Sequence, residues 1–494
     1  MASLHSRYNP QGEAERYLDA LSISPATLCF ILVEPGLGYM IPVLSRRFPA
    51  ARIIVLRVSP DGGEMPGAAR AAPNTACWDP ALGIPAEDFL GREFEGIAKN
   101  SGGFGPELVK IIEWRPSLDR YGDSCVRLLA AAVSALRRFD AERRTVSTFG
   151  RRWFRNFFKN LRILCRAPLL RDFHKTDAPI LVTGSGPSLE ESLPRIKEMA
   201  EGRACFIIAA SSSAMALLSR GIVPDLVIST DGGGWALLHL YELFREHGPR
   251  RFSRQGEGRG HRQPGLAAAL TASLPSQCGG LPILGIADGS LWQGLVLRGL
   301  GIPHLALPQR GTVTAAALDL ALALGRGQIA IAGMDLDARD IRTHARPYGF
   351  DRIWREGASR FRGEYAQSFF RRMAVLEGGS YRVYADWFAS RLGAYGGRLR
   401  SLGSNNPLFA GLPRLEDPCG SPAPGPDLVW EHGRRDGSRA LEILLNALED
   451  GGSRETVAGE LAPLILPGAR DPGPGELRAE LESLARPYLR GGNP

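Results

Sequence analysis

Between residues 179 and 332 short apolar runs alternate with helix-period segments, and this alternation restricts the fold more than any other feature of the chain. The run PILVT at 179–183 passes directly into Gly184-Ser185-Gly186-Pro187-Ser188-Leu189, after which a helical pattern begins. Strand candidates recur at 180–183, 205–209, 226–230, 282–285 and 328–332, and helices are expected over 190–200, 213–220, 236–247 and 313–325. Runs of four or five residues that are apolar throughout bury both faces of a strand. With a helix between each pair, they specify a parallel, doubly wound α/β sheet.

The first 115 residues repeat the scheme on a smaller scale. A run at 26–33 (ATLCFILV) is followed by Glu34-Pro35-Gly36-Leu37-Gly38-Tyr39, a helical pattern over 40–47 and a second run at 52–58. Strand, glycine turn, helix, strand is a βαβ unit, and a third strand is expected at 108–114. Residues 123–172 read as helix. Their WFRNFFKNLRIL stretch is amphipathic and basic, which suits a membrane surface or protein partner, or a core-facing helix with a solvated basic side; the last is the commoner outcome. The pattern turns helical and aromatic from 350 to about 395. A Pro/Gly-rich linker spans 412–428, and short helices are expected at 439–448 and 475–489. The expected organisation is thus an N-terminal unit at 1–122, a helical linker at 123–174 and a central domain at 175–350. A helical part at 351–411 completes that domain, and 412–494 form a linker and small helical tail.

The formal net charge of +8 suits anionic ligands such as nucleotides or acidic sugars and does not by itself indicate nucleic acid. The seven cysteines are scattered and odd in number, with no Cys-x-x-Cys, which argues against a disulfide framework or a zinc site and for a reducing compartment. No signal-peptide core opens the chain, and no run approaches the ~18 apolar residues of a membrane span. The best candidate, 313–324, carries Asp319 and reads as a buried helix. A soluble, cytoplasmic protein without a membrane span is expected.

Five motifs sit where strands end, the edge at which open α/β sheets bind ligands. In the first, Gly184 and Gly186 let the backbone pass close to a phosphate, with Pro187 between the glycine turn and the helix. The N–H groups at the helix start point at the anion, and Ser185 and Ser188 add hydroxyls. Ser188 is equally an N-cap, forming a capping box with Glu191. Second, Ser211 follows a strand and suits either a ribose or base contact or tight helix packing. Third, the stretch GIVPDLVISTDG delivers Asp231 to the edge, where it can bind a hydroxyl, a base or a metal-bound phosphate; Asp225 reads as a turn residue. Fourth, Gln309-Arg310-Gly311-Thr312 opens a helix. Arg310 can meet a phosphate and Thr312 can cap the helix or touch a ligand. Fifth, Asp335 lies at a strand end and His344 in a polar loop, where an imidazole near its ordinary pKa can act as general base. The loop at 249–264 is basic and Gly-rich and reads as a mobile surface loop, with an acidic-ligand clamp as the other reading.

GSGPSL, GIVPDLVISTD, GTVTAAALDLALALG and AGMDL…THA occur in the order seen in the motility-associated (Maf-type) flagellin glycosyltransferases, and the chain resembles them over roughly residues 175–350. The EPGLGY turn and SNNPLFAGL at 404–412 add looser likeness at both ends. The central domain of this family is similar to bacterial sialyltransferases and to a hydroxymethylpterin diphosphokinase. The resemblance implies two Rossmann-like doubly wound parallel-sheet units with a helical linker and a helical C-terminal region. It implies transfer of a pseudaminic- or legionaminic-type nonulosonic acid from a CMP-activated donor to Ser or Thr of flagellin, with no obligatory cofactor and no metal, and it is compatible with a homo-oligomer. Carried over by position, Gly184, Ser185, Gly186, Pro187 and Ser188 hold the donor phosphate, and Ser211 and Asp231 touch the nucleotide. Gly311 and Thr312 approach the donor, Asp335 shapes the site and His344 is the base. Two alternatives stay open: a diphosphokinase, for which Asp231 lacks a second acid one or two residues on, and a non-catalytic flagellin-binding protein.

Overall fold

Strands whose every residue is apolar bury both faces, and such runs form the cores of two parallel sheets. The computed structural model describes residues 4–58, 72, 74–101, 104–247, 264–377, 380–403, 406–415, 423–469 and 472–489. The chain divides into two compact units, 1–150 with 462–473, and 151–461 with 474–494. The expected loop at 249–264 lies outside the described residues except for Pro264, as do 416–422 of the expected linker and Ser404 and Asn405.

In the first unit β1 (Cys29–Val33), β2 (Arg52–Leu56), β3 (Thr75–Trp78) and β4 (Val109–Glu113) form a parallel sheet in the order β3-β2-β1-β4. All five residues of β1 are buried. Strand β3 has only one buried residue and was not expected from its pattern.

The second unit holds a larger sheet of β5 (Leu169–His174), β6 (Ile180–Thr183), β7 (Phe206–Ala210), β8 (Leu226–Ser229), β9 (Gly265–Ala269), β10 (Ile283–Ala287), β11 (Leu305–Ala306), β12 (Ile329–Ala332), β13 (Leu399–Gly403) and β14 (Asp427–Glu431). The order is β13-β12-β6-β7-β8-β9-β10-β5-β14, with β11 beside β10. All pairs are parallel except β14 on β5. From β6 the chain winds outward through β7, β8 and β9, then returns to the other side of β6 as β12. The topological switch point, where such sheets leave a crevice, therefore lies between β6 and β12.

The expected linker at 123–174 requires correction. Residues 123–164 are one helix, Asp123–Leu164, and the unit boundary falls within it at Gly150. Beyond that point Phe154, Phe157 and Phe158 are fully buried, with Phe157 packed on Trp292 of the same unit at 4.6 Å. Each such ring contributes about 1.5–3 kcal/mol by burial, so of the readings open for WFRNFFKNLRIL the core-facing one holds. Among the described residues no helix is long and apolar enough to cross a membrane.

Candidate active site at the β6–β12 switch point

Strands β6 and β12 pair in register up to Thr183 and Ala332, and the two chains then turn against each other. Gly184 N donates to Ala332 O at 2.8 Å and Gly186 N to Gly333 O at 2.7 Å. A Cβ on Gly184 would stand 2.6 Å from Gly333 O, and one on Gly186 would stand 2.5 Å from Asp335 Oδ2. Gly333 has φ +66°, in the left-handed region that favours glycine. The glycines of GSGPSL thus serve first to bring two loops together.

Three of the N–H groups expected to cradle a phosphate are engaged within the protein. The N–H groups of Gly184 and Gly186 are spent on the neighbouring loop, Pro187 has none, and Ser188 N donates to Asp335 Oδ2 at 2.6 Å. The anion at the start of the helix Leu189–Glu201 is the protein's own carboxylate, placed where the helix dipole favours it. The expected capping box is absent, since the Ser188 hydroxyl makes no cap bond. Glu191 pairs with Arg339 and Glu190 with Arg342 instead, tying the helix start to the loop after β12. Asp335 and Ser188 are 5% and 2% exposed, and Asp335 Oδ1 and Ser188 Oγ have no hydrogen-bond partner among the described residues. A carboxylate accepts hydrogen bonds and repels phosphate, so this corner suits a ligand hydroxyl or amine. Asp335→Ala is expected to cost about 1–3 kcal/mol by stranding a buried N–H. Asp335→Asn, which keeps an acceptor, should cost less. Equal urea midpoints for the two variants would contradict this role.

The other predicted residues spread along the same edge. Ser211 is buried at the first position of the helix Ser211–Leu218. Its neighbour Ser213 bonds Thr183 Oγ1 at 2.9 Å, joining the ends of β6 and β7. Asp231 is exposed just beyond β8, and its Oδ1 accepts from Gly233 N at 2.7 Å. Thr312 caps the helix Val313–Leu324 by accepting from Ala315 N, so its hydroxyl has the structural role. Arg310 Nε is bound to Asp319 at 2.5 Å and its guanidinium lies over Trp387, which explains the charge inside that apolar helix.

Several site residues escaped the sequence reading. Tyr384, on the helix Ser380–Arg391, lies 3.5 Å from where a Gly311 Cβ would be. Burial raises its pKa, with the nearby Asp231 charge adding to the effect. It therefore joins Asp231 to Gly311. One turn earlier, Tyr381 donates to Thr343 O at 3.2 Å. Asn156 reaches Gly232 O and Thr271 O, and Asn160 reaches Leu270 O and Ala272 O, holding the loops after β8 and β9. Two asparagines four apart on a helix face made of phenylalanines were the available signal.

His344 is brought to the edge by its backbone, since Ala345 N donates to Ser185 O at 2.7 Å. Its ring does not lie in a polar loop. It stacks on Tyr348 at 4.2 Å, and Nδ1 lies 2.8 Å from Thr343 Oγ1. Burial, with the Arg371 guanidinium and His239 nearby, pushes its pKa down to about 3. The expected near-neutral imidazole is thus replaced by one that stays neutral through the physiological range. A cavity of about 470 Å³ beside β5 and β10, lined by Arg171, Arg298 and His304 among others, holds none of the predicted residues.

Residues 152–249 match the family described as 6-hydroxymethylpterin diphosphokinase MptE-like. A Treponema pallidum (strain Nichols) protein described as uncharacterized is 29% identical over 250 residues, which make up 49% of this chain and 48% of that protein. The chain thus spans about half the length of the curated relative it matches. Among solved structures, a Maf glycosyltransferase from Magnetospirillum magneticum AMB-1 is similar at a TM-score of 0.48 and 14% identity, over 99% of this chain and 79% of that one. The chain is therefore similar to MptE-like proteins over residues 152–249, a segment that carries Gly184–Leu189, Ser211 and Asp231 and overlaps the central domain in which the sequence places that resemblance.

Proposed function

We propose that the chain is a glycosyltransferase that moves a nonulosonic acid from a CMP-activated donor to Ser or Thr hydroxyls of flagellin in the cytoplasm. The observation that carries this reading is the gathering of Ser185, Ser188, Ser211, Asp231 and Asp335 along one sheet edge around the switch point. Such a row of hydroxyls and carboxylates suits the hydroxyl-rich sugar and ribose of the donor. Asp335 and Ser188 take ligand donors, and the donor phosphate lies away from Asp335. CMP departs with the bonding electrons, and the carboxylates stabilise the oxocarbenium-like charge left on the sugar. The acceptor oxygen then bonds to carbon and loses its proton. A protonated ether oxygen is far more acidic than imidazolium, so His344 accepts that proton late, despite its lowered pKa. The acid limb of kcat/KM is accordingly expected well below pH 6.5. A limb at the ordinary histidine pKa would remove His344 as the base.

The family match favours a second reading, a diphosphokinase acting beside Mg²⁺-ATP. It requires carboxylates directed at the metal, and the candidates are Asp335, whose Oδ2 holds Ser188 N–H, and Asp231, whose Oδ1 holds Gly233 N–H, each through its other oxygen. Calorimetry with CMP and with Mg²⁺-ATP separates the two. Mass spectrometry of flagellin from cells with and without the gene tests the transfer, with loss of a nonulosonic acid mass expected in its absence. Unchanged flagellin sinks the proposal.

A further inference from the structure

Large apolar side chains are exposed along residues 353–370 and at Trp235 of the second unit. Trp235 is 70% exposed, Phe361 96%, Tyr365 69% and Phe370 66%, with Ile353 and Phe369 also on the surface. Single exposed apolar residues need no explanation, but a run of rings does. This run is built on ordered backbone. Ser359 and Arg362 exchange both backbone hydrogen bonds, at 3.1 Å each, across the turn that carries Arg360 and Phe361, so Phe361 stands at a fixed apex. Tyr365, Phe369 and Phe370 follow on the helix Glu364–Glu377. That helix is anchored by Arg371, whose guanidinium lies 4.5 Å from the Trp354 ring and 5.2 Å from that of Phe350. Phe350 in turn meets Trp235 at 6.4 Å. Trp235 is four residues beyond Asp231, so the rings extend from the rim of the candidate active site.

The charge around the rings is one-sided. From Arg352 to Arg372 the chain carries six arginines and two glutamates, and Arg352, Arg355, Arg360 and Arg362 are exposed. Exposed aromatics among arginines make up the composition that dominates binding energy at protein interfaces. Arginine's planar fork selects carboxylates. We infer that this face docks the polypeptide acceptor, binding an acidic segment with apolar side chains so that its hydroxyls reach the cleft beyond Asp231. The inference rests on the glycosyltransferase reading for its purpose, and its binding test does not depend on that reading.

The experiment uses the full chain and flagellin produced unglycosylated in a heterologous host, with the triple variant Phe361→Asp/Tyr365→Asp/Phe370→Asp. These side chains are exposed, so the fold should survive, as circular dichroism and an unchanged urea midpoint would verify. Flagellin binding by calorimetry is expected to weaken at least about tenfold, and Arg360→Glu/Arg362→Glu should weaken it similarly with an unchanged urea midpoint. Unchanged flagellin affinity in the triple variant overturns the inference. It is likewise overturned if the triple variant loses only self-association by light scattering, or only sedimentation with phosphatidylglycerol vesicles, because the occupant is then a second copy or a membrane. If the parent protein binds flagellin but neither CMP nor a CMP-sugar, the donor reading fails and the docking surface stands or falls on the variant alone.

Discussion

Gly333→Ala is expected to destabilise the second unit by about 2–5 kcal/mol, a large share of the 5–15 kcal/mol typical of a domain. Two costs combine. At φ +66° a Cβ meets the strain of the left-handed region, about 1–2 kcal/mol. That Cβ would also stand 2.5 Å from Gly184 O and 2.8 Å from Leu189 Cβ, and overpacking of this kind costs about 1–3 kcal/mol. The neighbours are a backbone carbonyl and a helix side chain near its root, so neither can swing away. Gly301 separates the two terms. It has φ +62° with open space around it, so Gly301→Ala should show the backbone cost alone. Chemical denaturation of both variants reads the difference. Should Gly333→Ala cost no more than Gly301→Ala, the contact between the β6 and β12 loops is looser than described. The consequence reaches the site, because the same contact presents Asp335 to Ser188 N.

Acid should weaken the second unit through His239 and His344. Burial, with Arg371 adding to it, lowers the pKa of His239 to about 4, and His344 is lowered to about 3. Both folded values lie below the ordinary 6.5, so the unfolded chain binds protons first. The stability these two neutral rings confer is therefore present above pH 6.5 and is lost as pH falls from there toward 4. The two imidazoles together give a slope of about 2.7 kcal/mol per pH unit near pH 5. Asp351, beside Tyr348, has its carboxyl raised by burial and opposes this trend at the acid end. Urea midpoints at pH 7, 6, 5 and 4.5 measure the slope. His239→Gln and His344→Gln should each remove about half of it, whatever they cost at pH 7. Slopes that match the parent would mean that these rings are protonated in the folded chain.

Much of the fold was legible because it rests on local patterns. The helix expected at 40–47 is Met40–Arg47, and the expected strand at 180–183 is β6. Besides the two-residue β11, the strands of the second unit without an apolar signature were of two kinds. Strands β5, β13 and β14 lie toward the sheet's ends and mix charged with apolar residues, as in LLRDFH and LRSLG, so no apolar run marks them. Strand β9, GLAAA, is fully buried but made of small residues with weak β preference. The unit boundary inside Asp123–Leu164 was hidden because helical periodicity continues unchanged from one core to the other.

Which segments end at the ligand-binding edge of the sheet follows from local pattern, since a parallel strand followed by a helix sends its turn there regardless of the rest. What those turns do depends on contacts between segments far apart in the chain. Asp335 is 147 positions from Ser188, yet its carboxylate takes an N–H that GSGPSL alone offers to a phosphate. His344 lies within a polar sequence, yet Tyr348, His239 and Arg371 close around its ring. Hydrogen-bond partners and proton affinity depend on what lies within a few ångströms, and that is set by the order of the strands, with β12 returning beside β6.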